Sequence, residues 1–179
     1  MPGLSSDAHD RDHAAGHWRD GHGTALSVKP HPIALGVWLL STPAVFAGGL
    51  STTMGEVTLD QLPRGVASSL QEAGGMEYQV LNTSEEALEL QMDILPPTPD
   101  ELKEGYEALP DPAWVTLERE TFSVLPQMPA ATDVRIAVPD EAAHAGRRYQ
   151  FWIWTHTVGR SLGVGLKSRF LITIADDRP

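Results

Sequence analysis

The sequence predicts an all-β protein, an antiparallel β-sandwich of seven to eight short strands, preceded by an apolar N-terminal leader. Beyond residue 55, apolar and polar side chains alternate with a period of two, which is the pattern of a strand with one buried face. Gly, Pro and Asn punctuate these runs, and a helical period is almost absent. Many short strands separated by turns are typical of two packed sheets.

The uncharged run 32–54 predicts export. Its apolar part, 33–40, is followed by Val45-Phe46-Ala47, whose small residues suit a signal peptidase cut after Ala47. The alternative is a single uncleaved transmembrane anchor, because 32–50 approaches the roughly 20 residues that cross a bilayer. In that case this segment contacts the membrane. Under both hypotheses the domain at 55–179 is extracytoplasmic, in the periplasm or at the cell surface.

Residues 1–31 form a polar tail rich in His and Asp, unlike the short basic start of a signal peptide. A translation start at Val28 would give the short basic start of an ordinary signal peptide. Residues 1–27 are therefore candidates for a segment that is not translated. If the tail is real, His9, His13 and His17 share one face of any helix and are candidate metal ligands. The alternative is a disordered tail, which the low apolar content favours.

The strands follow in order along the domain. The alternating runs predict strands at 57–59, 76–80, 88–94, 114–117, 122–125, 134–138, 148–156 and 166–174. The polar turn 82–86 predicts that its two flanking strands form a hairpin. A second antiparallel pair is predicted at the C-terminal end, where Gly159, Gly163 and Gly165 separate the last two strands. Residues 100–106 predict one or two helical turns.

The order of these features resembles a family. Asn82-Thr83-Ser84 follows an early strand, and Trp114, Pro139 and the segment 146–151 follow in turn. This order resembles the extracytoplasmic Ig-like modules of bacteria, namely PapD-like and major-sperm-protein-like sandwiches, over about residues 56–174. The resemblance implies an Ig-like fold.

Composition excludes several functions. The formal net charge of −11 opposes binding to nucleic acid phosphates. Without cysteine the chain has no disulfide, no thiolate metal site and no thiol nucleophile. No catalytic motif is visible, and His144 and His156 are expected to be solvated. The sequence therefore predicts a protein that is not an enzyme and needs no cofactor.

The candidate site is an aromatic face on one strand. Gln150, Trp152 and Trp154 alternate with Tyr149, Phe151 and Ile153, so aromatic side chains line both faces of this strand. Exposed aromatic side chains are typical of protein interfaces and of sugar-binding sites. The competing interpretation is that the proline-rich loop 96–112 or the C-terminal tail covers them.

These observations support three functional hypotheses. The first is an accessory or scaffolding subunit that binds another envelope or membrane protein through Trp152, Trp154 and Gln150. The second is a carbohydrate- or cell-wall-binding module in which the two tryptophans stack on a glycan. The third is a periplasmic metal-handling protein that uses the N-terminal histidines.

Overall fold

The structure is a computed structural model that describes residues 37–38, 45–47, 49–159 and 163–176. The described residues are predominantly β, as the alternating pattern predicts, and eight of the strands have four residues or more. The strands are, in chain order, β1 (Val37–Trp38), β2 (Val45–Ala47), β3 (Leu50–Thr52), β4 (Glu56–Leu62), β5 (Ala67–Ser69), β6 (Tyr78–Asn82), β7 (Leu88–Leu95), β8 (Glu107–Ala108), β9 (Val115–Leu117), β10 (Thr121–Val124), β11 (Pro129–Thr132), β12 (Val134–Ala137), β13 (Arg148–Thr157) and β14 (Gly165–Ile174).

The largest sheet carries the candidate site near its centre. Its strand order is β1-β4-β14-β13-β7-β10, and β8 pairs in parallel with the start of β13. The long antiparallel pair β13 and β14 runs from Arg148 opposite Thr173 to His156 opposite Gly165, which confirms the predicted C-terminal pair. Over residues 152–156, β13 has a paired strand on each side, so Trp152 and Trp154 lie in the interior of the sheet and not at its edge.

Two smaller sheets supply the other side of the sandwich. One has the order β11-β6-β3-β2, and the other has the order β5-β12-β9. Both contribute buried side chains to the same apolar core as the large sheet, among them Val80 and Ile136. The core contact between layers is direct, since the rings of Tyr78 and Phe170 meet edge to face at 6.0 Å.

A short polar network crosses this core. The hydroxyl of Tyr78 lies 2.9 Å from Ser168 Oγ and 3.3 Å from Thr155 Oγ1, and all three side chains are buried. Burial raises the pKa of Tyr78, although the two hydroxyl hydrogen bonds act in the opposite direction. Because each hydroxyl has a partner, the network links the layers without leaving a polar group unsatisfied.

The prediction of a hairpin around residues 82–86 is wrong. Strand β6 pairs with β11 and β3, whereas β7 pairs with β13 and β10, so the chain crosses from one layer to the other between them. Asn82 organises the crossing: its buried side-chain amide donates to the carbonyls of Glu86, Val124 and Leu125, and its Oδ1 accepts from the Ser84 N–H. A polar turn suits a layer crossing as well as a hairpin.

The helical predictions are also corrected. Residues 100–106 form turns and irregular chain, with the Glu101 N–H donating to the Thr98 carbonyl, and do not form a helix. The α-helix of the described residues is α1 (Leu70–Gly74), where Ser69 Oγ accepts from the Glu72 N–H as an N-cap and Gly75 ends the helix with φ of 65°. One turn is too short to show a helical period in the sequence.

The end of the apolar run 32–54 takes part in the sandwich. Strand β3 pairs with β6, Leu50 is completely buried and Met54 belongs to the core. Strand β2 pairs with β3 in the register Val45 opposite Thr52, and β1 pairs with β4. No helix in the described ranges is long and apolar enough to cross a bilayer. Cleavage after Ala47 and anchoring by 32–50 both stay predictions.

Candidate functional site

Gln150 belongs to the interior of the protein. It is fully buried, its Oε1 accepts from the Lys103 N–H at 2.8 Å, and its Nε2 donates to the Glu101 carbonyl at 2.9 Å. The neighbouring Leu109 N–H donates to the Gln150 carbonyl. The proline-rich loop after β7 therefore covers this end of the outer face, so Gln150 is not part of the accessible surface. Leu171, opposite Gln150 on β14, is buried as well.

Trp152 is half-buried beneath two cations. The guanidinium carbon of Arg169, its cross-strand neighbour, lies 4.9 Å from the ring centroid, and Lys167 Nζ lies 5.7 Å from it. Both distances are within the range of cation–π attraction. The indole Nε1 of Trp152 and the Nε of Arg169 are buried without a hydrogen-bond partner among the described residues. These contacts hold the ring in one orientation.

Carboxylates pair with the cations on this face. Glu56 lies 3.2 Å from Arg169 and 3.0 Å from Lys103, and Glu101 lies 3.2 Å from Lys167. Hydrogen bonds from the Thr98 N–H and from Lys167, with a further one from the Thr98 hydroxyl, lower the pKa of Glu101 to about 2. Glu101 is therefore ionised at neutral pH and keeps Lys167 beside Trp152.

Trp154 is half-buried and stacks on His156. The two rings have centroids 3.9 Å apart and planes inclined by 22°. His156 Nε2 in turn lies 2.8 Å from Asp93 Oδ2 on β7, whose other oxygen accepts from Gln91 Nε2. The side chain of His156 is only 18% exposed, so the expectation of a solvated histidine is wrong for this residue. The pairing of β13 with β7 brings these four side chains together, because Trp154 lies opposite Asp93 and His156 lies opposite Gln91.

His144 lies in a second aromatic group, away from the tryptophan pair in sequence. Its Nδ1 and the Tyr149 hydroxyl are 2.8 Å apart, and its ring meets Trp114 edge to face at 4.8 Å. The side chain is 15% exposed, so the solvated interpretation is wrong here too. Burial raises the pKa of Tyr149, and the charge of Glu107 acts in the same direction. Both histidines thus have structural partners.

No group of three or more His, Asp or Glu side chains within the described ranges is arranged to hold a metal ion. His9, His13 and His17 lie outside those ranges, so the hypothesis of a histidine metal site stays a prediction.

Sequence reasoning placed the two tryptophans on one face of β13 but missed the side chains that surround them. Period two on a single strand identifies which residues share a face, yet it does not say which strand lies beside it. Arg169, Lys167 and Asp93 were missed for this reason, because their positions depend on the pairing of β13 with β14 and β7.

No protein-family model and no curated protein matches the chain. Among solved structures it is similar to a candidate carbohydrate-binding protein from Bacteroides ovatus, with 14% identity and a TM-score of 0.50 over 72% of this chain and 37% of that one. It is also similar to the periplasmic chaperone SfaE, with 12% identity and a TM-score of 0.46 over 75% of this chain and 61% of that one.

A third match is the ASH / PapD-like domain of human CEP192, with 8% identity and a TM-score of 0.47 over 83% of this chain and the whole of that one. The chain thus spans 37% and 61% of the lengths of the first two proteins. At these identities the likeness concerns the fold alone. A PapD-like domain is among these matches. The sheets of the described residues and their shared core show that the fold is a β-sandwich.

Proposed function

We propose that this chain is a non-catalytic, exported β-sandwich that binds another protein of the cell envelope through the outer face of its large sheet, around Trp152 and Trp154. The observation that carries the proposal is that both rings are half-buried and already held by neighbours, Trp152 by Arg169 and Trp154 by His156. A ring held in place before binding loses little conformational entropy when a partner docks.

The composition of this face also supports a protein partner. Tryptophan and arginine are the residue types that most often dominate binding energy at protein interfaces. The cations of the face are paired with Glu56 and Glu101, so the face carries charges of both signs although the chain as a whole is acidic. A partner with a mixed polar rim around an apolar centre would match it.

A carbohydrate partner is the second candidate. The observation in its favour is the row formed by Gln91, Asp93 and His156 beside Trp154, since sugar sites combine an aromatic ring with polar groups that bind hydroxyls. Asp93 remains one-third exposed, so one side of the row is open to a ligand. Under this proposal Trp154 would stack on a sugar ring.

Site-specific photo-crosslinking of the full chain distinguishes the two proposals. A photoreactive benzoylphenylalanine at Leu95, the cross-strand neighbour of Trp152, is compared with one at the exposed Gln79 on the other layer. With an envelope extract of the source organism, we expect a discrete protein adduct from position 95 that is absent from position 79. The double variant Trp152→Ala/Trp154→Ala should weaken it about 30-fold, equivalent to about 2 kcal/mol.

The carbohydrate proposal is tested by calorimetry, which measures binding of soluble hexasaccharides from cellulose, chitin and peptidoglycan. Binding of one of them that is lost in Trp154→Ala, together with no adduct at position 95, would favour the glycan. An adduct that forms equally at both positions, or that the double variant leaves unchanged, would refute the protein-binding proposal.

A further inference from the structure

Gly165, on the outer face of the large sheet, has no room for a side chain. A Cβ at this position would lie 2.8 Å from Trp154 Nε1, 3.1 Å from His156 Cβ and 3.2 Å from the Thr155 carbonyl oxygen. A separation below 3.0 Å is a clash. The backbone of Gly165 is part of strand β14, opposite His156, so a turn does not explain the glycine. A glycine inside a strand often marks a close approach of another group.

The group that approaches Gly165 is the indole of Trp154. Its Nε1 reaches across from β13 to β14 and occupies the space that a side chain at residue 165 would fill. Its face rests on the His156 ring at 3.9 Å, and Asp93 holds His156 through Nε2 at 2.8 Å. An aromatic ring placed over a cross-strand glycine also shields the exposed backbone of that glycine. Trp154 is thus supported on two sides by different strands.

Trp152 has a different environment. Arg169 and Lys167 lie over its ring, and its Nε1 is buried. Arg169 is paired with Glu56, and Lys167 is paired with Glu101. Trp152 therefore lies within a network that belongs to this chain. The two tryptophans share a face, yet they are held by different kinds of neighbour.

We propose that Gly165 is a positioning residue for Trp154, and that Trp154 is the ring that contacts the partner, while Trp152 supports the ionic network beside it. This inference rests on the proposed function of the outer face. A side chain at residue 165 would push the indole out of its position over β14 and away from His156. The indole of Trp154 would then no longer be held against His156 in the position at which a partner would contact it.

The first test needs no partner. In the full chain, labelled at its five tryptophan indole nitrogens, the signal of Trp154 is assigned with the variant Trp154→Phe. Gly165→Ala is expected to move the Trp154 indole signal and the ring signals of His156. Gly163→Ala is the matched control, because its Cβ would meet nothing closer than Thr157 Oγ1 at 3.7 Å. A Trp154 signal that stays in place in Gly165→Ala overturns the positioning role.

The second test uses the adduct formed from position 95 with the envelope extract. We expect Gly165→Ala and Trp154→Ala each to lower the adduct yield at least about tenfold, and Trp152→Ala to lower it much less. An equal loss in Trp152→Ala overturns the division of roles between the two rings. If neither tryptophan variant changes the yield, the proposed function fails, while the indole signals still report on Gly165 independently.

A third comparison covers the case in which Gly165→Ala does not fold. The double variant Gly165→Ala/Trp154→Phe removes the indole nitrogen that clashes with the new methyl group, so it should recover part of the lost thermal stability. Recovery identifies the Trp154 ring as the group that needs the glycine. A double variant no more stable than Gly165→Ala would attribute the loss to the Thr155 carbonyl and His156 contacts and would overturn the proposal.

Discussion

Gln150 shows how one polar side chain attaches a long loop to the sheet. Both ends of its amide are satisfied by backbone groups of residues 101 and 103, about fifty residues earlier in the chain. Alternation along β13 correctly placed Gln150 on the outward face, but it did not show that a loop buries this side chain. The residue that was expected on a binding surface instead holds the loop that ends this surface, because a buried amide needs both hydrogen-bond partners.

The first prediction follows from that contact. Gln150→Ala removes one acceptor and one donor and leaves the Lys103 N–H and the Glu101 carbonyl without them, so it should lower the free energy of unfolding by about 1–3 kcal/mol. Gln79→Ala, on an exposed site of the other layer, should stay within about 0.5 kcal/mol of the wild type. Urea denaturation measures both, and hydrogen exchange at Lys103 should accelerate only in Gln150→Ala. Equal losses in the two variants would contradict the assignment.

Among the elements, β7 lies between β10 and β13 and carries the clearest alternation. Leu90 is 1% exposed and lies opposite Phe122 on one side and Thr157 on the other, whereas Glu89 points to solvent. Leu90→Ala should therefore cost about 2–5 kcal/mol through the cavity that it leaves. Glu89→Ala should be nearly neutral. Thermal and urea unfolding of the pair measure the difference, and similar effects would mean that the face of β7 has been assigned wrongly.

The junction of β5, α1 and β12 depends on one buried carboxylate. Asp133 is 1% exposed and accepts from Ser69 Oγ at 2.6 Å, the Gln71 N–H at 3.0 Å and Arg135 Nε at 3.3 Å. Burial by itself would raise the pKa of Asp133, but the hydrogen bonds from Ser69, Gln71 and Arg135 outweigh it, so the pKa is lowered from 3.8. The charged form is thus the one that the fold stabilises.

A pH prediction follows for this junction. Because the folded-state pKa of Asp133 is below its unfolded value, its stabilisation is complete above about pH 4 and is lost as the pH falls through the lower folded value. Asp133→Asn should lower the free energy of unfolding at pH 7 by about 1.5–3 kcal/mol, and the gap to the wild type should narrow below pH 4. Glu101 titrates in both proteins, so its contribution cancels in the difference between their free energies of unfolding. Urea denaturation across pH 2.5–7 tests this, and a constant gap would contradict it.

At the scale of the whole molecule, the boundary between leader and domain can be tested by truncation. A chain that begins at Gly48 keeps β3, with Leu50 completely buried, and keeps Met54 in the core. It should unfold cooperatively. A chain that begins at Gly55 lacks both residues, and the loss of Leu50 alone should cost about 2–5 kcal/mol.

Near-ultraviolet circular dichroism and thermal unfolding compare the two chains. Equal stability would show that β3 adds nothing to the sandwich. If the first chain is folded and the second is not, the domain begins between residues 48 and 54, earlier than the boundary at 55 expected from the sequence. That result would also agree with a cut after Ala47, whose occurrence is measured separately by the N-terminus of the protein isolated from its host.

Sequence alone determined the fold class, most of the strands and the faces of those strands. The alternation groups Leu88, Leu90 and Met92 on one face of β7 and Phe151 and Ile153 on one face of β13, and all five are buried. The physical reason is that the direction of a side chain on a strand is local: it alternates with every residue whatever the partner strand is. The same rule placed Trp152 and Trp154 together on the opposite face of β13.

Only the tertiary structure decided which strands are neighbours and which outward side chains are covered. The crossing at Asn82 replaced a hairpin, and the loop at Glu101 and Lys103 buried Gln150. The indole of Trp154 can lie over Gly165 because the pairing of β13 with β14 places Gly165 opposite His156, two residues along β13 from Trp154. Pairing and cover depend on residues distant in sequence, whose gain in burial and hydrogen bonding is realised only when the whole sandwich has formed, so no local pattern encodes them.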